Sequence, residues 1–99
     1  MTPPAASPSL PRLFTDKQGQ YLAFIHTYAL LNGQAPAEAD MQRFFRVTPP
    51  SVHNMVVHLE RLGLIRRTPR QARSIELLVD ADLLPPLRAQ PIKTTVGRY

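Results

Sequence analysis

Apolar residues recur at Val52, Met55, Val56, Leu59 and Leu62, three or four positions apart, which places them on one side of a helix and on no single side of a strand. The spacing predicts an amphipathic helix over 48–62 with that stripe buried. Its start is marked by Thr48, whose hydroxyl suits a free backbone N–H of the first turn, and by Pro49, whose fixed φ suits the first helical position. Gly63 supplies the stop. The other side carries Pro50, Ser51, His53, Asn54, Val57, His58 and Arg61, with Glu60 as its one carboxylate near the far end. Small, polar and hydrogen-bonding groups of this kind suit the edge of a base pair.

The same periodicity predicts two helices upstream. The first runs over 15–31, with Tyr21, Leu22, Ile25, Tyr28 and Ala29 inward, and ranks second in length to the third helix. Thr15 and Gln18 have capping-box spacing, Phe14 precedes them where it can staple onto the first turn, and Asn32-Gly33 ends the helix in a left-handed turn. Gln34-Ala35-Pro36 connects to a short helix over 37–45, with Glu38 and Asp40 in its first turn and Met41, Phe44 and Phe45 inward. Arg46-Val47 then makes a tight passage to Thr48, as in a helix-turn-helix.

Beyond Gly63, residues 64–67 and 74–79 have strand character and are separated by a turn containing Pro69. A two-stranded ribbon is marginal alone, so its Leu64, Ile65, Ile75 and Leu77 side must pack on the helices. The fold class is therefore mainly α with a small β-hairpin: a three-helix winged helix-turn-helix over 14–79. Before it, residues 1–13 form a Pro-rich arm, extended or disordered. After it, residues 80–99 form an arm or tail in which Leu83 to Leu87, with Pro85 and Pro86, suggest a short turn or a packing segment.

Charge sharpens this picture. Lys and Arg number 12 against 7 Asp and Glu, a net +5, and the excess is concentrated in Arg61, Arg66, Arg67, Arg70 and Arg73, a stretch without an acid. Such a stripe is the electrostatic footprint of a surface that neutralises phosphates, and arginine matches phosphate and guanine edges bidentately. A merely solubilising charged face is the plainer reading of the same charges. The absence of cysteine excludes disulfides and thiolate metal sites and points to a reducing cytoplasm. Neither a signal peptide nor a run of about 20 apolar residues occurs, so no membrane role is expected.

Phe14-Thr15-Asp16-Lys17-Gln18 with Tyr21-Leu22 and Ile25, Asn32-Gly33 and Pro36, Thr48-Pro49, and His58-Leu59-Glu60-Arg61-Leu62-Gly63-Leu64-Ile65 together resemble the N-terminal DNA-binding domain of the LexA repressor family. Arg73-Ser74-Ile75 with Leu77 is similar to the return strand of its wing. The likeness covers 14–79. It implies a duplex DNA-binding transcriptional regulator whose third helix enters the major groove, with Pro50, Ser51, His53 and Asn54 reading bases. Asn54 is the expected bidentate partner of adenine and His53 a donor to guanine, each good pair giving ~1–3 kcal/mol of discrimination. Ser51 and Thr48 are also ordinary helix-start residues, and His53 and Asn54 also suit a merely solvated helix.

Arg43, Arg46, Thr48, Arg61, Arg66, Arg67, Arg70 and Arg73 are the expected contacts to the DNA backbone, the 66–73 wing lying on backbone or minor groove. Where the family's turn usually has glycine this chain has Arg46, so the turn is expected to take a geometry that tolerates a side chain. Only 20 residues follow Val79, too few for the family's self-cleaving C-terminal domain, and autocleavage is not expected. A homodimer on palindromic DNA is compatible with the family, although nothing in Leu83 to Leu87 proves an interface. The alternative is a winged-helix interaction module binding an acidic protein or RNA.

No nucleophile beside a base, glycine-rich phosphate loop or paired carboxylates point to an enzyme. His53 and His58 are five apart, and no further donor set accompanies them or His26, so neither a metal nor another cofactor is expected. Tyr21, Phe24, Tyr28, Phe44 and Phe45 read as core and its rim.

Overall fold

The computed structural model describes residues 13–90; the expectations for residues 1–12 and 91–99 lie outside the described residues. The elements are α1 (Asp16–Asn32), α2 (Glu38–Phe45), α3 (Pro49–Arg61), β1 (Ile65–Arg66) and β2 (Glu76–Leu77), followed by a 3-10 turn at Ala81–Leu83. Three helices and an antiparallel hairpin in this order form a winged helix-turn-helix. No helix among the described residues is long and apolar enough to cross a membrane.

Local chemistry explains the start of α1. Gln18 N donates to Thr15 Oγ1 at 3.1 Å, and Thr15 N donates to Gln18 Oε1 at 2.8 Å, so each residue satisfies a backbone donor of the other. Phe14 lies over Gly19, where a Cβ would stand 3.0 Å from its ring and 3.1 Å from Pro85 Cγ. Glycine there leaves room for both groups. Gly33, with φ 72°, closes the helix by donating to Ala29 O.

Two expectations for α1 need correction. At 17 residues it is longer than α3, which has 13 between its caps Thr48 and Leu62. Its buried surface is also broader than a single stripe, and every residue from Gln18 to Ile25 is buried. The reason is the segment after the wing. Gln20 Nε2 donates to Pro86 O at 3.0 Å and Arg88 N donates to Gln20 Oε1 at 2.8 Å, while Leu84 and Leu87 pack on the core. The first helix is therefore covered on two sides, and the buried Gln20 amide that clasps the arm both donates and accepts a hydrogen bond, as burial of a polar group favours.

Tyr21, Leu22 and Ile25 of α1, Met41 and Phe45 of α2, Val52, Val56 and Leu59 of α3, and Leu64 and Ile65 of the wing form the core. Tyr21 stacks on Phe45 with centroids 4.1 Å apart, and Phe24 meets Phe44 at 4.9 Å. Burial pushes the Tyr21 phenol up from its ordinary value. The α3 stripe is placed as its spacing predicts: Val52, Val56 and Leu59 are all at 0% exposure. The helix then stops in a full Schellman motif, with Gly63 N bonded to Glu60 O and Leu64 N to Leu59 O, both at 3.0 Å. Gly63 takes φ 79° there, and the motif turns the chain directly into the wing.

The hairpin is shorter than the 64–67 and 74–79 runs suggest. Its register pairs Ile65 with Leu77 and Arg66 with Glu76, extended by Leu78 N to Leu64 O at 3.0 Å. Beyond Arg66 the ladder gives way to side-chain closure: Ser74 Oγ accepts from Thr68 N at 2.9 Å and donates to Thr68 O at 3.1 Å. One hydroxyl thus satisfies both backbone groups that a strand partner would have met. Arg70 and Arg73, at φ 64° and 54°, turn the tip through left-handed backbone.

The turn between α2 and α3 overturns another expectation. Arg46 caps α2 at φ 57° and ψ 50°, in the left-handed region that glycine prefers. The turn has kept the geometry and accepted the side chain. Both Arg46 N and Val47 N bond Gln42 O, at 2.9 and 3.3 Å, which holds the residue there.

Candidate nucleic-acid interface

Burial of Val52, Val56 and Leu59 fixes the rotation of α3 about its axis, and the opposite residues follow from helical geometry. Pro50, Ser51, His53 and Asn54 are all exposed along the first turns of the helix. Ser51 N donates to Thr48 Oγ1 at 3.3 Å and the two hydroxyls lie 3.0 Å apart, so Thr48 and Ser51 are occupied in capping as well as presented to solvent. Asn54 makes no side-chain hydrogen bond among the described residues and leaves its full amide for a ligand. The helix N-terminus behind these groups keeps a positive dipole end with no acidic residue in its first turn, but its backbone donors are spent: Pro49 and Pro50 have no N–H, Ser51 N is capped by Thr48, and Val52 N bonds Thr48 O at 3.2 Å.

His53 is not unaccompanied. Its Nδ1 lies 3.3 Å from Glu38 Oε2, a carboxylate at the start of α2. Arg67 Nη1 stands 3.6 Å from the same oxygen, while Arg67 Nε donates to Glu60 Oε1 at 2.9 Å. The wing, α2 and α3 are thereby tied through one guanidinium, itself only 28% exposed.

The arginines fall into two sets that sequence order does not separate. Arg66 bonds Glu76 across the hairpin, with Nη2 and Nε at 2.6 and 3.1 Å. Arg73 Nη1 donates to Tyr28 Oη and Asp40 Oδ2, each at 3.0 Å, and its guanidinium lies 5.8 Å from the Tyr28 ring centroid. It therefore fastens the wing to α1 and α2. Arg43 also bonds Asp40 yet keeps 72% of its side chain exposed. Arg46, Arg61 and Arg70 are exposed and have no carboxylate within ion-pair distance among the described residues.

Asp40 is the electrostatic centre of the paired set, through Arg73 and Arg43. Burial alone would push its carboxyl up, but the Ala37 N–H at 2.8 Å and the Arg73 and Arg43 guanidinium groups outweigh it and hold the carboxyl below its ordinary value. Arg73 is pushed up by its hydrogen bond to Tyr28, with Asp40 adding to this, against an opposing effect of burial. Of these partners only the Asp40–Arg43 spacing, three apart on one helix, was readable in the sequence. Glu38, Glu60, Tyr28 and Gln20 meet their partners through tertiary packing and had no local signal.

Comparison with known proteins accords with this geometry. The family model described as the LexA DNA binding domain matches residues 12–74, which takes in α1 to α3, β1 and the wing turn. A LexA repressor of Thermosipho melanesiensis is 41% identical over 64 residues, 65% of this chain and 32% of that protein. One of Novosphingobium aromaticivorans is 32% identical over 99 aligned positions, 80% of this chain and 42% of that protein. One of Bartonella quintana is 34% identical over 67 residues, 67% of this chain and 28% of that protein. The chain thus spans well under half the length of these curated relatives. With more than half of its residues matched and its three helices and wing in the matching order, the chain belongs to the LexA DNA-binding domain family.

Proposed function

We propose that this chain binds duplex DNA sequence-specifically and regulates transcription in the cytoplasm, as a binding protein and not as an enzyme. The observation that carries the reading is the exposed face of α3, where Pro50, Ser51, His53 and Asn54 stand opposite a fully buried stripe in the first turns after the Thr48 cap. An α-helix of this width fits the major groove of B-form DNA. Asn54, with its amide free, takes the bidentate contact to adenine. Arg43, Arg46, Arg61 and Arg70 neutralise phosphates, Arg66 contributes from its exposed pair, and Thr48 offers its hydroxyl beside them. Arg67 and Arg73 act by holding the wing in place against Glu60, Glu38, Asp40 and Tyr28.

Selection of bound sites from a random duplex library tests this. The expected result is a defined site whose preference relaxes at one base in Asn54→Ala. Palindromic sites with a fixed half-site spacing would support binding as a homodimer. Equal affinity for A-form RNA duplexes, which deny a helix their deep groove, would overturn the reading in favour of a module for RNA or acidic protein.

A further inference from the structure

We infer that Glu38 sets the hydrogen-bonding sense of His53, so that the base preferred at one position of the DNA site changes with pH. This rests on the DNA-binding reading above and adds the chemistry of one contact to it. Glu38 Oε2 lies 3.3 Å from His53 Nδ1. An ionised carboxylate only accepts hydrogen bonds, so this contact needs the proton on Nδ1. In the neutral ring Nε2 is then an acceptor, and Nε2 is the nitrogen left for a ligand, since the ring is 55% exposed and Nδ1 is spent on α2.

A neutral His53 held in this way matches donors on base edges, the amino groups of adenine and cytosine. Once protonated, the ring keeps Nδ1–H on Glu38 and turns Nε2 into a donor, which matches guanine N7 and O6. The donor role towards guanine expected from the sequence therefore belongs to the charged ring. The two forms differ only in whether Nε2 carries a proton, so the contact to Glu38 is common to both. The charged groups around it are few. From α2 it faces Glu38; from the segment after β1, Arg67 stands 3.6 Å from that carboxylate; on α3, Glu60 is engaged by Arg67. Arg67 and the His53 ring share the Glu38 Oε2 oxygen.

Glu38 is thus a positioning residue for specificity, and two measurements test it on the whole chain. Nitrogen-15 spectra of the neutral His53 ring should show the proton on Nδ1 in the native protein and a mixture of both tautomers in Glu38→Ala. Site selection from a random duplex library at about pH 5.5 and pH 8 should show one base position changing from adenine or cytosine to guanine as the pH falls, with a preference of about fivefold or more for the favoured base. In Glu38→Ala the preference at high pH should relax. Glu38→Gln keeps a partner for Nδ1 that either donates or accepts, and should restore ring position without restoring the tautomer. A native ring protonated on Nε2, or a bound site whose preferences are the same at both pH values, overturns the inference and leaves DNA binding standing. Failure to select any site at either pH removes the DNA-binding reading, and the inference with it.

Discussion

Replacing Arg46 by glycine should raise stability and lower DNA affinity together. Arg46 sits at φ 57° and ψ 50°, where an L side chain costs about 1–2 kcal/mol through contact of Cβ with the following carbonyl. Glycine removes that cost but adds freedom to the unfolded chain worth about 0.5–1 kcal/mol. The exposed guanidinium has no carboxylate partner among the described residues whose loss would count against the change. The net gain is about 0.5–1 kcal/mol, which for a domain of this size raises the melting temperature by roughly 2–8 °C. If Arg46 also meets a phosphate, the slope of log affinity against log salt should fall by about 0.9. Thermal unfolding and salt titrations on random duplex DNA measure the two effects separately. Arg46→Ala is the control, since it loses the same charge while keeping the strained backbone. A glycine variant no more stable than the alanine variant would refute the assignment of strain to this residue.

Three further outcomes follow from the same contacts. Arg70→Ala should leave thermal stability nearly unchanged and reduce the salt slope by about 0.9, because its side chain has no carboxylate partner among the described residues. Arg73→Ala should do the reverse: it loses the bonds to Asp40 and Tyr28 that fasten the wing, lowering the melting temperature measurably, with the salt slope nearly intact in the protein that remains folded. The Asp40 carboxyl is held below its ordinary value of 3.8, so the stability it adds is fully present above that pH and is lost as pH falls through its lowered folded value. Acid unfolding monitored by circular dichroism should show the advantage of the native protein over Asp40→Asn disappearing in that range.

Much of the fold was legible before any coordinates because its signals are local. The Thr15–Gln18 capping box, the Gly33 and Gly63 stops, Thr48-Pro49 and the 3-4 spacing from Val52 to Leu59 each involve residues within one or two helical turns, where backbone geometry alone dictates the outcome. The exposed face of α3 follows from the same periodicity, because burying one side of a helix presents the other. The hairpin was legible in place but not in length, since Ser74 closes the tip with its hydroxyl in place of further ladder pairs.

The sequence by itself determined the order of helices, the rotation of α3 and the surplus of arginine. Only the tertiary structure decided what most of that arginine does. Glu38 and Asp40 are about thirty residues from Arg67 and Arg73 along the chain, yet packing of α2 against the wing brings them together, while Glu60 meets Arg67 across the turn that ends α3. The physical reason is that a guanidinium takes the nearest carboxylate that geometry offers, and proximity across elements is set by the core, not by the spacing of letters. The same holds for Gln20, whose clasp with the arm after the wing spans 66 and 68 residues.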